Sequence, residues 1–358
     1  MIATTKPTIM ALSFSTTTAT TFSPPPSLRG VFVGSGSDGM SDPRIAKVIL
    51  ELVPKKNEAL QVLYLGTATY DLPQFAQRQT QCLVDQGCTV NQLKLVHECD
   101  PIQSQAMIDA ADIIVVGGGN TLYAVDRWQT TGIVPHLQRA MERGAVLTGG
   151  SAGAICWFSG GHSDSMDPDS YFKAMQAKFG VESTTSTDND LVEESSDAPD
   201  NGKKKDWKYI RVPGLGFLPG LMCPHHDRVQ SNGILRARDF DQMLLNKHSG
   251  EIGIGIDHWA AFVVDGPDSY RVVSLEGKPG SVIISSNENN NGEPSFSPDA
   301  KGSPGIWIKH VSDGKVVSKL LPPSGKLSDV LRPATAIFED QKALDQCRLD
   351  NPGQAYVN

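Results

Sequence analysis

The chain has 358 residues, a formal net charge of −8 at pH 7 and 39% hydrophobic residues, enough for a substantial core in one large α/β domain or two smaller ones. This acidic balance argues against nucleic acid as the main partner, because phosphate binding requires a basic surface. No run of about 18 apolar residues occurs, so no membrane span is predicted.

Polar segments divide the chain. Residues 1–28 are rich in Ser, Thr and Pro, which predicts a disordered tail because such a segment buries too little apolar area. Its lack of acidic residues also fits an organelle transit peptide, although it has few basic residues. Polar insert loops are expected at about 183–206 and 285–302, inside one α/β domain at 29–335. A C-terminal extension follows at 336–358.

Strands alternate with helices between residues 30 and 150. The predicted strands are Gly30–Val33, Leu60–Leu65, Val90–Leu95, Asp112–Val116 and the run at Ala145–Leu147, and the predicted helices are Phe75–Gln86, Thr121–Gln129 and Val134–Arg143. The apolar, β-branched run at 112–116 is typical of a parallel strand buried on both faces. The pattern predicts an α/β fold with a doubly wound, mostly parallel sheet and flanking helices. Functional loops of such sheets follow the carboxyl ends of strands.

The segment Thr148–Ala154 reads Thr-Gly-Gly-Ser-Ala-Gly-Ala and follows an apolar run. A serine between small residues at a strand–helix turn fits a nucleophile elbow, because Gly permits the sharp turn that exposes the hydroxyl. Ser151 is therefore a candidate nucleophile, and the backbone N–H of Ala152 is a candidate oxyanion donor. Gly and Ser are also common loop residues, so this motif alone does not establish catalysis.

A second loop, Gly117-Gly118-Gly119-Asn120-Thr121, follows the strand at 112–116. It is not a phosphate loop, because no Lys-Ser/Thr follows and the GxGxxG spacing is absent. Two interpretations remain: a tight turn capped by Asn or Thr at a helix start, or a loop whose N–H groups approach a reacting carbonyl.

The third motif is the segment Leu218–Asp227, which ends in Pro-His-His-Asp. Two histidines directly after Pro224 indicate a rigidly held imidazole. Such a ring suits a general base that takes a proton from Ser151 and returns it to a leaving amine.

In this order, the three motifs resemble the serine exopeptidases of the dipeptidase E and cyanophycinase family, over roughly residues 30–280. The lead-in Gly-Leu-Gly-Phe-Leu-Pro-Gly at 214–220 is also similar to that family. The resemblance implies a fold similar to class I glutamine amidotransferases. It further implies a nucleophile, a general base and a pair of oxyanion-hole N–H groups, which fall on Ser151, His225, Gly119 and Ala152.

The third member of the family's triad is a Glu in a Gly-x-x-Glu context, and here that context reads Gly255-Ile256-Asp257-His258. His258 stands at the position of the Glu and would orient His225 by accepting its N–H. Asp257 would do so after a small backbone shift at the strand end. Loss of activity and a purely structural role for both residues are the remaining interpretations.

Four further residues are candidates for substrate binding. Asp164 resembles an acidic position of the family suited to a substrate α-amine. Arg236 and Arg238 lie near the position where aspartyl dipeptidases carry an arginine for the substrate's β-carboxylate. Asn120 of the glycine loop is the fourth. A solvated loop or an ordinary helix surface explains the charged residues equally well.

The resulting hypothesis is a serine-type exopeptidase that acts on dipeptides with N-terminal Asp and needs no metal or cofactor. Two alternatives remain: a cyanophycinase-like hydrolase of isopeptide or β-aspartyl linkages, and a non-catalytic ligand-binding descendant. The expected partner is a short peptide, without nucleic acid or membrane, and the expected state is a monomer or homodimer. The six cysteines lack CxxC or zinc-ligand spacing and are interpreted as free thiols. A cytoplasmic location is therefore expected, with organelle targeting by the tail as the alternative.

Overall fold

The apolar runs of the chain form two large mixed β-sheets. The computed structural model describes residues 22–54, 59–97, 99–171, 205–284, 294–297 and 302–357. Residues 1–21 of the predicted tail, residues 183–204 of the first predicted insert and most of the second insert lie outside the described residues.

Sixteen strands occur within the described ranges. In chain order they are β1 (Arg29–Val33), β2 (Gln61–Leu65), β3 (Thr89–Leu93), β4 (Ile113–Val116), β5 (Val146–Gly150), β6 (Phe158–Ser163), β7 (Ile210–Pro213), β8 (Leu218–Cys223), β9 (Gly253–Ile256), β10 (Ala260–Asp265), β11 (Tyr270–Ser274), β12 (Val282–Ile284), β13 (Pro294–Phe296), β14 (Ile306–Ser312), β15 (Lys315–Leu320) and β16 (Ser324–Gly325).

Ten α-helices accompany them in the same ranges. They are α1 (Ser37–Met40), α2 (Pro43–Leu52), α3 (Pro73–Asp85), α4 (Pro101–Ala110), α5 (Thr121–Thr131), α6 (Val134–Arg143), α7 (Ala152–Ile155), α8 (Arg236–Lys247), α9 (Leu327–Val330) and α10 (Gln341–Asp350). In the part of the chain that is described, no helix has the length and apolar character needed to cross a bilayer.

Every strand and helix predicted between residues 30 and 150 is present, with small shifts at the ends. Helices α1, α2 and α4 were not predicted from the sequence, although α2 and α4 begin with the same signal. Asp42 and Asp100 accept backbone N–H bonds at these helix starts, and a proline follows each of them. An Asp cap before a proline at the first helical position favours helix formation, because the side chain satisfies a free N–H and proline presets φ.

The first sheet has the strand order β16-β11-β10-β1-β5-β4-β2-β3. Strands β1, β5, β4, β2 and β3 run parallel, and β10, β11 and β16 extend the sheet in antiparallel orientation. Every residue of β4 and β5 is buried, as expected for central parallel strands. The carboxyl ends of β1, β5 and β4 therefore lie side by side.

The second sheet has the order β15-β14-β9-β8-β6-β7, with β6, β8 and β9 parallel at its centre. The mixed α/β class with parallel central strands and flanking helices is thus confirmed, but the prediction of one doubly wound sheet is wrong. Only residues 257–259 separate β9 from β10, which pairs with β1 of the first sheet. Apolar periodicity predicts where a strand lies in the sequence but not which strand it pairs with. It therefore did not reveal that the chain passes from one sheet to the other between β9 and β10.

One buried cluster joins the two sheets. It contains Phe32 of β1 together with Met222 and Ile254 of the second sheet. The rings of Phe32 and Phe158 meet edge to face, with centroids 5.3 Å apart. Leu28, the last residue of the predicted tail, is also buried in this cluster, so ordered packing begins before residue 29.

The C-terminal segment packs against the α/β domain. Helix α10 buries Leu344. Arg348 donates two hydrogen bonds to Asp126 of α5, at 2.8 and 2.9 Å. Tyr70 Oη donates to Asn351 Oδ1 at 3.0 Å. Residues of the predicted extension therefore contribute to the same fold.

This packing predicts a difference between two leucines of α10. We expect Leu344→Ala to lower the free energy of unfolding by about 2–4 kcal/mol, because it leaves a cavity against the core. Leu349→Ala is the matched control, since Leu349 is 80% exposed and its loss should change stability by no more than about 0.5 kcal/mol. Urea unfolding of the two variants and the wild type measures both values. Equal stabilities of the two variants would contradict the packing of α10.

Candidate active site

Ser151 lies in a strained turn between β5 and α7. Its backbone has φ +54° and ψ −121°, a conformation that side-chain-bearing residues rarely adopt. The Ser151 N–H donates to the carbonyl of Val33 at 3.1 Å. A Cβ on Gly150 would lie 1.9 Å from the oxygen of Ser35, and one on Gly153 would lie 2.1 Å from that of Val116. The glycines therefore permit the close backbone packing that holds the serine in this conformation.

Two backbone N–H groups near this turn are available as oxyanion donors. Ala152 is the first residue of α7, where helix geometry leaves the N–H without an intrahelical acceptor. Gly119 has φ +131° and lies against the carbonyl of Ala68. Among the described residues, neither N–H donates a hydrogen bond. A Cβ on the neighbouring Gly118 would lie 3.6 Å from the Cβ of Ser151, so the glycine loop borders the serine.

The loop after β1 also borders Ser151. A Cβ on Gly36 would lie 3.8 Å from the Cβ of Ser151. Gln79 of α3 links this loop to the glycine loop, because its Nε2 donates to Ser37 Oγ at 3.4 Å and its Oε1 accepts the N–H of Gly118 at 3.3 Å. Helix α3 thus fixes the relative position of the two loops around the serine.

His225 follows the end of β8 in the second sheet. Its backbone is also left-handed, with φ +47°, and its N–H donates to the carbonyl of Gly34 at 2.9 Å. Desolvation lowers the pKa of the His225 imidazole well below 6.5, and the neighbouring His258 and Arg236 lower it further. The ring is therefore neutral at neutral pH, as a general base requires.

His258 contacts His225 directly. The two Nδ1 atoms are 2.9 Å apart, and the backbone N–H of His258 donates to Asp227 Oδ1 at 2.7 Å. The Nε2 of His258 lies 3.1 Å from Asp38 Oδ2 in α1. Asp38 also pairs with Arg78 Nη2 at 3.3 Å. His225, His258 and Asp38 therefore form a hydrogen-bonded chain that ends at the Asp38 carboxylate.

Asp257, the residue before His258, contacts a different set of groups. Its Oδ2 accepts hydrogen bonds from the N–H and hydroxyl of Ser281 and from the N–H of Gly305, at 2.7–2.9 Å. Its Oδ1 lies 3.4 Å from Nδ1 of His226. Burial raises the pKa of Asp257 to about 6. The interpretation in which Asp257 orients His225 is therefore corrected, because Asp257 is hydrogen-bonded to a different histidine and to a neighbouring loop.

Asn120, predicted to contact substrate, has structural contacts of its own. Its Oδ1 accepts the N–H of Tyr123 at the start of α5. Its Nδ2 donates to Ser165 and Ser170 at 3.4 and 3.5 Å. Asn120 is buried, and these bonds engage both ends of its amide.

Asp164 and Arg236, predicted to bind opposite charges of a substrate, bind each other. Arg236 is buried, and its Nη1 lies 3.1 Å from Asp164 Oδ2. Gln230 contacts both partners, and Arg236 Nη2 donates to the carbonyl of His162 at 2.5 Å. Arg238 is exposed on α8. Of the two arginine candidates, only Arg236 belongs to this cluster.

Asp38 and Arg78 were not predicted to be part of the site. One feature of the sequence does point to Asp38, namely its position after a strand. It follows the Gly-Ser-Gly-Ser loop after β1, and ligands of α/β sheets bind beyond the carboxyl ends of strands. No local pattern connects this loop with a histidine that is 220 residues away.

Comparisons with known proteins agree with the motifs. Residues 31–181 match the model of peptidase family S51. An uncharacterized peptidase, YgaJ of Bacillus subtilis (strain 168), is 26% identical over 260 residues, which cover 69% of this chain and 92% of that protein. Peptidase E of Shigella flexneri serotype 5b (strain 8401) is 30% identical over 108 residues, which cover 30% of this chain and 44% of that protein.

A third relative has a different kind of name. A Trypanosoma brucei brucei protein named G2/mitotic-specific cyclin-1 is 25% identical over 324 residues, which cover 85% of this chain and 88% of that protein. The family model and the other two relatives all name peptidases, and the matched residues 31–181 include the serine and glycine motifs. Residues 31–181 of the chain are therefore similar to peptidase family S51.

Proposed function

We propose that this chain is a serine-type exopeptidase that hydrolyses short peptides, with N-terminal Asp dipeptides as its substrates. The conformation of Ser151 is the observation that carries the proposal. A serine is held at φ +54° next to two glycine loops, as expected for an exposed nucleophile. Within the α/β fold, we further propose a similarity to class I glutamine amidotransferases, supported by the position of this turn at the end of a central parallel strand.

In the proposed reaction, Ser151 Oγ attacks the scissile carbonyl while His225 Nε2 takes the hydroxyl proton. The N–H groups of Gly119 and Ala152 stabilise the oxyanion. The tetrahedral intermediate then releases the amine, which receives the proton from His225. Water attacks the acyl-enzyme with His225 again as the base, and Ser151 is regenerated. A neutral imidazole in the resting state supports this role.

The Asp164–Arg236 pair supports the preference for N-terminal Asp. Such a substrate carries an ammonium group and a β-carboxylate on the same residue. Its ammonium would pair with Asp164 and its carboxylate with Arg236, so each protein charge would exchange its present partner for a substrate group. This exchange leaves no buried charge unpaired, which lowers the cost of binding. A cytoplasmic location is part of the proposal, supported by six cysteines that are all free.

Removing the Ser151 hydroxyl tests the proposal directly. We expect Ser151→Ala to lower turnover of α-Asp dipeptides by about 10⁴-fold or more without loss of stability, because this hydroxyl makes no hydrogen bond within the described residues. Ser159→Ala is the matched control, since that hydroxyl bonds the carbonyl of Leu218. The substrate panel includes β-linked Asp dipeptides, and selective cleavage of these would favour the isopeptide hydrolase. Unchanged turnover in Ser151→Ala would exclude the mechanism.

Separate substitutions of Asp257 and His258, which follow β9, distinguish the roles of the two residues. We expect His258→Ala to lower kcat/KM by about 10²–10⁴-fold, because His225 loses the group that orients it. Asp257→Asn should lower the free energy of unfolding by about 1–3 kcal/mol through its lost buried hydrogen bonds, with kcat/KM of the folded protein nearly unchanged. Steady-state kinetics and thermal unfolding measure both. A large kinetic loss in Asp257→Asn alone would reverse the assignment.

The lowered pKa of His225 predicts the acid side of the pH profile. The neutral ring is the active form, so activity is lost as the pH falls through its pKa in the free enzyme. Because that pKa lies well below 6.5, kcat/KM should remain constant down to about pH 6.5 and decline only below it. A wild-type profile with an acidic midpoint at or above the ordinary histidine value would contradict this environment for His225.

A further inference from the structure

We propose that Asp38 is the positioning carboxylate of this site and that it acts through His258 to set the proton position on His225. The inference rests on the proposed function, because it assigns a role toward the general base of that reaction. It adds a residue from α1, the short helix that follows β1, and extends the proposed Ser151–His225–His258 arrangement to a fourth member.

The contact between the two histidines restricts where their protons lie. The Nδ1 atoms are 2.9 Å apart, and a hydrogen bond at this distance needs one protonated and one bare nitrogen. If His225 carries its proton on Nδ1, its Nε2 is bare and accepts the proton of Ser151. If the proton of the contact belongs to His258 instead, neutral His225 is protonated on Nε2 and is not a base toward serine.

Asp38 selects the first of these arrangements. An ionised carboxylate only accepts hydrogen bonds, so its Oδ2, 3.1 Å from His258 Nε2, favours a proton on that nitrogen. Neutral His258 then has a bare Nδ1, which accepts the Nδ1–H of His225. The carboxylate thus fixes the tautomers of two rings in succession, and its negative charge also favours the imidazolium that forms on His225.

The other nearby carboxylates do not perform this task. Asp227 accepts the backbone N–H of His258, and Asp257 faces His226 and Ser281. Asp38 alone among these three is hydrogen-bonded to the ring of His258 within the described residues. Its pairing with Arg78 helps to fix its orientation.

The rate of covalent modification of Ser151 tests the proposal without a peptide substrate. With a fluorophosphonate probe, Ser151 Oγ bonds to phosphorus, fluoride leaves and His225 takes the proton. We expect Asp38→Asn to lower the second-order rate constant by about 10²-fold or more, because Asn permits the unproductive tautomer. A fall of less than about tenfold would overturn the proposal, and a larger fall supports it.

Nitrogen-15 NMR of the imidazoles gives a second readout that loss of structure alone would not produce. The wild type should carry protons on Nδ1 of His225 and Nε2 of His258, and Asp38→Asn should move the His225 proton to Nε2. The reverse arrangement in the wild type overturns the proposal even if the variant does not fold. If the wild type does not react with the probe, the serine mechanism fails, and the tautomers still decide the role of Asp38.

Two variants serve as controls. Asp42→Ala removes the cap of α2 and the pairing with Arg44, so it perturbs the same region without touching His258. We expect it to lower stability and to leave the labelling rate within about twofold of the wild type. Asp38→Glu keeps the carboxylate and should react faster than Asp38→Asn. Equal rates for these two Asp38 variants would indicate a merely structural role.

Discussion

The site depends on the hydrogen bonds that two backbone carbonyls at the end of β1 accept. The carbonyl of Val33 accepts the N–H of Ser151 from the first sheet, and the carbonyl of Gly34 accepts the N–H of His225 from the second. Consecutive backbone groups thus hold the nucleophile and the base, although the two residues follow strands of different sheets. Asp38 lies four residues beyond Gly34 on the same chain segment, so all three positions are tied to one strand end.

Both of these anchored residues adopt a left-handed backbone, which costs about 1–3 kcal/mol for a residue with a side chain. At Ser151 the surroundings supply the compensation, because glycines on either side permit close contact with the carbonyls of Ser35 and Val116. At His225 the hydrogen bond to Gly34 fixes the turn after β8. Conformational strain of this kind persists only where packing enforces it, and two of the six described non-glycine residues with positive φ are thus the serine and the histidine of the motifs.

The electrostatics of the site follow from a histidine at a position where the family resemblance implies Glu. A carboxylate next to His225 would orient and stabilise it directly. Here an imidazole ring stands between the base and the nearest carboxylate of the hydrogen-bonded chain, and desolvation lowers the pKa of His225. Such an arrangement favours a neutral His225 in the resting enzyme. Stabilisation of the His225 imidazolium then depends on the hydrogen bonds at both ring nitrogens of His258.

The sequence by itself determined the elements and the local motifs. Strand and helix periods between residues 30 and 150 depend on neighbouring side chains, and the Gly-x-Ser-x-Gly turn is encoded within five residues. Only the tertiary structure decided which charged groups meet. Asp38 lies 220 residues from His258, and Asp164 lies 72 residues from Arg236. Asp257 and His258 are adjacent in sequence, yet they face different histidines, because the chain crosses between the two sheets at this point and each side chain meets a different set of neighbours.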